Sequence, residues 1–412
     1  MRVISANDKL AIAQLIDKSM RRDPAILRRA RRIIEDVRTR GDDALLEHAR
    51  KLDGLDGPIE VPRGEMKRLA GTVGRDVREA IRLAARNIER VATRQVPRGW
   101  RLDTTPGVSI EQRITALDRV GCYVPGGRYP LPSSLLMTAI PARVAGVGQV
   151  VAVCPRPDAT VMLAALVAGV DRVFQIGGAQ AIAALAYGTE CVPRVDKIVG
   201  PGNAYVAAAK ALVAGDCAID FFAGPSEIVV ISAKGNAAWI AADLIAQAEH
   251  DPEARAILLT PSIRLAAAVA RECDRQLPAG GPAGLALARN GGIVVTRSLA
   301  AAIALSQRIA PEHVVCDDDR VASQLTVAGT VFVGAHSAQA LGDYVTGSNH
   351  VLPTSGTARS RGGLSAADFV RTTSVQRVTP RGLRRIGPAA VAIARAEGLT
   401  GHAESITIRL PR

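Results

Sequence analysis

Three short runs decide the fold: Val150-Val-Ala-Val-Cys154, Arg172-Val-Phe-Gln-Ile-Gly-Gly178 and Lys197-Ile-Val-Gly200. They begin 22 and then 25 residues apart, and Ala-rich stretches of helical length fill the gaps. Parallel strands need a crossover of a dozen or more residues, usually a helix, so this spacing predicts a parallel sheet with helices on its faces. Toward the C-terminus a second series follows at 228–232, 256–260, 292–296, 313–317 and 331–334, with helical stretches near 237–249, 262–276 and 298–307. Two α/β lobes accommodate these runs better than one continuous sheet. Toward the N-terminus the first hundred residues look helical. Ile26, Leu27, Ile33, Ile34 and Val37 recur at helical spacing, and Gly41-Asp42-Asp43 marks a turn. The tail from about residue 366 reads as a separate, mostly helical unit ending in a strand-like 405–410.

Composition agrees with this class. The 412 residues are 48% apolar but only 3% aromatic, which excludes disorder and leaves Ala, Val, Leu and Ile to build the core. The chain carries 52 Lys and Arg against 39 Asp and Glu, a formal +13. Its first hundred residues hold 23 basic against 15 acidic side chains, largely as arginine (Arg21, Arg22, Arg28, Arg29, Arg31, Arg32). No zinc-finger spacing and no aromatic RNA-binding motif accompanies them, so they read as a solvated helix face and no nucleic-acid partner is expected. The six cysteines are scattered with no C-x-x-C pair, as in reduced thiols of a cytoplasmic protein. Charges at Asp8, Lys9, Asp17 and Lys18 interrupt any signal-peptide pattern. The longest apolar run, 161–170, is about half of a membrane span, so no membrane partner is expected.

The chemistry concentrates in a few motifs. Gln247-Ala-Glu-His250-Asp-Pro252 closes a predicted helix, with Gln247 and His250 on one face. They either converge on one ion or ligand, or His250 satisfies the last helical carbonyls. Gly342-Asp343-Tyr344 and Asn349-His350 are placed in a loop after a strand, as functional residues or as a structural turn. Pro311-Glu312-His313 sets a carboxylate beside an imidazole, whose ordinary pKa suits proton abstraction near neutrality. In a strand the two point to opposite faces, so both reach one pocket only if the backbone turns there. Gly177-Gly-Ala-Gln180 and Gly200-Pro-Gly-Asn203 each join a strand end to a helix, where an anionic group such as a pyrophosphate can approach. Neither is G-x-G-x-x-G, and that fingerprint is absent from the chain. Tyr123-Val-Pro-Gly-Gly127 and Ala223-Gly-Pro-Ser226-Glu227 bracket the lobe, as ligand turns or as fold punctuation.

In this order and spacing the motifs resemble the histidinol dehydrogenase family over nearly the whole chain, least so in the first hundred residues. The resemblance implies two Rossmann-like α/β lobes with parallel sheets, a helical N-terminal segment and a small C-terminal unit exchanged in a homodimer. It implies oxidation of L-histidinol to L-histidine through L-histidinal, the last steps of histidine biosynthesis, with one Zn²⁺ per subunit and two NAD⁺ per turnover. The zinc ligands fall on Gln247, His250, Asp343 and His402, the last reaching in from the partner subunit. Glu312 and His313 match the acid/base pair, His313 taking the hydroxyl proton and Glu312 activating water. Ser226, His350 and Glu397 join His313 and the zinc ligands as substrate contacts, and Tyr123, Gln180 and Asn203 match the NAD contacts.

The implied layout is a helical arm at 1–20, a catalytic lobe from 21–121 and 228–365, an NAD-binding lobe at 122–227, and a unit at 366–412 completing the partner's site. Ser232-Ala-Lys234 and Cys122 depart from the family's usual residues, at positions outside the matched site. Every matched residue lies between Tyr123 and His402, so the arginine excess is expected to be surface composition. Two rivals remain: a relative that oxidises another primary alcohol, such as a sulfonated diol, and a basic nucleic-acid-binding protein on an old enzyme scaffold.

Overall fold

The chain folds around two parallel sheets and one antiparallel sheet, as seen in a computed structural model that describes residues 1–16, 23–126, 130–222 and 224–410. Arg21, Arg22, Gly127, Ala223 and the end of the expected arm lie outside the described residues. The strands in chain order are β1 (Val3–Ser5), β2 (Trp100–Thr105), β3 (Val108–Ala116), β4 (Arg119–Tyr123), β5 (Gln149–Val153), β6 (Arg172–Phe174) and β7 (Lys197–Val199). They continue as β8 (Ala218–Ile219), β9 (Glu227–Ile231), β10 (Arg255–Thr260), β11 (Gly292–Val295), β12 (His313–Cys316), β13 (Thr330–Val333) and β14 (Val370–Val378). One parallel sheet runs β6-β5-β4-β7-β8 and the other β1-β11-β10-β9-β12-β13. The buried faces of β9 and β10 explain their unbroken apolar runs, because helices cover a parallel sheet on both sides. All six cysteines are unpaired. No helix among the described residues is long and apolar enough to cross a membrane.

Local chemistry fixes the helices that frame the site. In Pro24–Arg40, Asp23 accepts a hydrogen bond from the Ala25 amide at 2.7 Å, Pro24 takes the first position, and Gly41 ends the helix at φ 58°. Its Ala30, Ile33, Ile34 and Val37 share a core with the helices Gly178–Tyr187 and Ala204–Val213. Arg63–Gly71 and Arg75–Gln95 pack Met66, Ile81 and Ile88 against the other face of the same five-stranded sheet.

Four expectations need correction. The helices between Pro24 and Gln95 pack on the five-stranded sheet of 122–227, with Val351 and Leu364 joining that core from 228–365, rather than on the six-stranded sheet. The arm begins as a strand: β1 pairs in parallel with β11, which leaves helix only at Lys9–Ile16 within the described part of 1–20. In the tail, β14 pairs with β3 along nine residues, and 405–410 is not a strand. Ala403 and Ile406, three apart, pack on Val391 and Ala394, so helical spacing prevails over the alternation that suggested a strand. Gly342-Asp343-Tyr344 closes the helix Gln339–Tyr344 rather than lying in a loop.

Candidate active site

A cleft of about 1300 Å³ runs between the two parallel sheets. One wall is the C-terminal edge of the five-stranded sheet. Tyr123 ends β4, and its buried hydroxyl accepts from the Gly178 amide at 3.1 Å. The Asp53 carboxylate accepts from the Gly177 amide at 3.0 Å and from Gln180 Nε2 at 2.9 Å, so a residue far away in sequence holds the turn. Gly178 sits at φ +60°, and a Cβ there would lie 2.7 Å from Gln180 Oε1. The second turn is held from beneath by a buried ion pair. Lys210 Nζ donates to the Gly200 carbonyl at 2.9 Å and to the Asp220 carboxylate, which accepts from the Gly200 amide at 2.8 Å. Gly200 has φ +113°, and a Cβ would meet the Tyr123 carbonyl at 2.2 Å. Asn203 caps Ala204–Val213 by accepting from the Tyr205 and Val206 amides. This wall therefore presents two helix N-termini and a Cβ-free backbone, the surroundings a phosphate prefers.

The facing wall belongs to the six-stranded sheet, at the N-terminal ends of its strands. Gln247 and His250 lie at the C-terminal end of Ala237–Ala248, and Asp343 lies near the end of Gln339–Tyr344. His250 and Asp343 line the cleft, with Gln247 fully buried behind them. Gln247 Nε2 is 3.4 Å from His250 Nδ1, while Gln247 Oε1 is buried without a hydrogen-bond partner. Helix C-termini carry unpaired carbonyls and favour cations, the opposite of the first wall.

Behind this wall sits the pair Glu312 and His313, both buried. The backbone of Glu227 holds both: its amide donates to Glu312 Oε2 at 2.8 Å, and its carbonyl lies 3.0 Å from His313 Nδ1. A carbonyl only accepts, so Nδ1 carries the proton and Nε2 keeps its lone pair. Nε2 lies 3.4 Å from Gln339 Nε2 and 4.0 Å from Asp343 Oδ1, two residues of the cleft wall. Burial pushes the imidazole pKa down to about 4, outweighing the Asp343 carboxylate that would raise it, so His313 is neutral near pH 7. Burial drives the Glu312 carboxyl well above its ordinary range, with the nearby Glu227 and Asp343 carboxylates adding to the rise. Its neighbours also include the Ser226 side chain. His350 Nδ1 lies 2.9 Å from the Asp343 carbonyl, and its Nε2 lies 3.4 Å from Ser134 Oγ.

The cleft thus assembles Tyr123, Gln180 and Asn203 on one wall, with Gln247, His250, Asp343, Glu312, His313, Ser226 and His350 on or behind the other. Glu397 and His402 are exposed on the tail helices and do not line it. Among the described residues no three His, Cys, Asp or Glu side chains converge as a metal group. An amide beside an imidazole, with a carboxylate on the same cleft wall, is a donor set a cation can use, and the unsatisfied Gln247 Oε1 is an acceptor that a cation would complete.

Several supporting residues carry no sequence signal. Asp53, Lys210 and Asp220 hold the two glycine turns, and Glu227, which the sequence offers only as the end of a turn, acts through its backbone. Gln339 donates to Asp343 at 2.8 Å, and only its four-residue spacing from Asp343 could have pointed to it.

Known proteins share this sequence and fold. The family model for histidinol dehydrogenase matches residues 17–410. The chain is 48% identical to a histidinol dehydrogenase of Agrobacterium fabrum over 394 residues, covering 92% of this chain and 91% of that protein. It is 46% identical to one of Geobacter sulfurreducens over 393 residues, covering 92% of each. The solved structure of histidinol dehydrogenase from Elizabethkingia anophelis superposes with a TM-score of 0.93 at 32% identity, covering 99% of this chain and 98% of that one. A family match along nearly the full length, joined to an α/β cleft of this construction, establishes the relationship: the chain belongs to the histidinol dehydrogenase family.

Proposed function

We propose that this oxidoreductase converts L-histidinol to L-histidine through L-histidinal, consuming two NAD⁺, and works as a cytoplasmic homodimer with one Zn²⁺ per subunit. The observation that carries this reading is the buried pair Glu312–His313, fixed by one backbone unit with His313 Nε2 unprotonated beside Asp343. Bound NAD⁺ supplies the hydride acceptor, and bound zinc supplies a Lewis acid that fixes the amino-imidazole of the substrate. Gln247, His250 and Asp343 would hold the metal, completed by His402 from the partner subunit's copy of the tail. Tyr123, Gln180 and Asn203 would hold the dinucleotide.

In the first half-reaction His313 Nε2 takes the alcohol proton as hydride leaves the carbinol carbon. In the second, Glu312 takes a proton from water as its oxygen adds to the aldehyde carbon, and a second hydride leaves the resulting hydrate. Two unlike proton transfers suit two unlike bases. The raised pKa of Glu312 makes it a stronger base once ionised. Ser226, His350 and the partner subunit's Glu397 would contact the substrate, and a carboxylate suits its cationic amine. The polarity of the walls supports the same division, with phosphate at helix N-termini and cation at helix C-termini.

The test is product stoichiometry. Purified protein given L-histidinol and excess NAD⁺ should form two NADH per histidinol, and chelation should abolish it. No NADH with histidinol but turnover of a sulfonated diol would replace this reading with the sulfonated-alcohol alternative.

A further inference from the structure

The arginine-rich helix Pro24–Arg40 is not wholly remote from the site. Arg29 lines the cleft, its guanidinium 5.6 Å from the centre of the Tyr205 ring, two residues after Asn203. Arg156 lines the same cleft from the loop after β5. Neither shows an ion pair with a carboxylate among the described residues. The Asp53 carboxylate, which feels the Arg156 charge, already accepts from the Gly177 amide and Gln180.

Arg156 is also held in a backbone state rare for a side-chain-bearing residue, with φ 54°. The preceding Pro155 is closely packed. A Cβ on Gly126 would fall 1.9 Å from the Pro155 carbonyl oxygen, and one on Gly177 would fall 2.6 Å from Pro155 Cγ. Two glycine turns thus close around Pro155 and launch Arg156 from a fixed point beside the Gly177–Gln180 turn. Backbone strain of this kind persists where the surroundings impose it and gathers at ligand clamps. Two guanidiniums on one cleft, neither ion-paired among the described residues and both beside helix N-termini, match the chemistry of a phosphate.

We propose that Arg29 and Arg156 form a phosphate clamp for the dinucleotide, a role that rests on the proposed use of this wall by NAD⁺. The phosphate is either the pyrophosphate common to both nicotinamide dinucleotides or the 2′-phosphate of NADP⁺. Steady-state kinetics with Arg29→Ala, Arg156→Gly and the double variant separates them. Glycine at 156 removes the guanidinium while accepting φ 54°. Clamping of the pyrophosphate raises the KM for both dinucleotides about tenfold per arginine, with kcat shifting less than twofold. Clamping of the 2′-phosphate raises only the KM for NADP⁺.

In either case kcat/KM for the affected dinucleotide loses salt sensitivity, and Arg28→Ala, on the same helix but outside the cleft, leaves it unchanged. Unchanged KM for both dinucleotides in the double variant overturns the clamp, as does an equal rise in Arg28→Ala, which would mean bulk charge alone. Hydrogen exchange with NADH as probe keeps the two levels apart. Protection at 177–180 and 200–203 together with unaffected arginine variants removes the clamp and leaves the wall assignment standing. Absence of that protection removes both.

Discussion

The two parallel sheets use opposite edges. The five-stranded sheet faces the cleft with the ends of β4, β6 and β7, where open α/β sheets usually bind ligands, and the six-stranded sheet faces it with the starts of β9, β10 and β12. Strand ends lead into helix N-termini and offer amides, whereas strand starts follow helix C-termini and offer carbonyls. The first edge is suited to a polyanionic dinucleotide, the second to a metal and a cationic substrate. The Glu227 carbonyl that sets the tautomer of His313 and the helix end bearing Gln247 and His250 are both products of that second edge. One backbone polarity, met from its two directions, supplies both halves of the proposed redox site.

The largest expected effect lies at the second edge. His313→Ala should lower kcat by about three orders of magnitude while zinc content stays the same, as read by NADH formation and metal analysis. Full activity would take His313 out of the reaction. Next comes the first edge's foundation. Lys210→Met leaves Asp220 buried and uncompensated, which costs about 3–5 kcal/mol of stability, visible in denaturant melts as a lower midpoint and in kinetics as a raised KM for NAD⁺. An unchanged midpoint would mean that the pair does not support the Gly200 turn.

Gln247→Ala and His402→Ala should each weaken zinc affinity, by about tenfold or more, and metal analysis after dialysis reads it. Unchanged zinc in both would undo the ligand set. The smallest effect belongs to neither edge. Arg113 and Arg377 hold the partly buried Glu111 carboxyl down at about 2 on the antiparallel sheet. A depressed folded-state pKa stabilises above the unfolded value, near 4.5, and that contribution fades as pH falls toward 2. Glu111→Gln should therefore leave turnover at pH 7 unchanged and flatten the acid side of the stability profile; an unaltered acid profile would mean that the pairing is immaterial.

The parallel strands were legible because burial on both faces writes continuous β-branched runs, and crossover helices space them regularly. The antiparallel hairpin was not. β2 buries none of its six residues and β3 few, with Trp100 and Leu102 about half exposed, so no alternation marks them. The lobe grouping of 24–95 could not be read because an amphipathic stripe says that a helix is buried, not against which sheet. Within the site, residues with chemical side chains were found through motifs. The supporting contacts carry no motif: Asp53 and Glu227 meet partners 124 and 86 residues away, and the Lys210–Asp220 pair holds the Gly200 turn at separations of 10 and 20 residues that follow no helical or strand period. Arg29 was hidden among neighbouring arginines, and only the packing of Pro24–Arg40 onto the five-stranded sheet separates it from them.

Anomalous diffraction at the zinc edge on crystals of the metal-loaded protein tests the polarity argument most directly. One peak per subunit is expected at the N-terminal edge of the six-stranded sheet, about 2.0–2.2 Å from Gln247 Oε1, a His250 ring nitrogen and an Asp343 carboxylate oxygen. A stoichiometric peak elsewhere, or against the Gly177 and Gly200 turns, would contradict it.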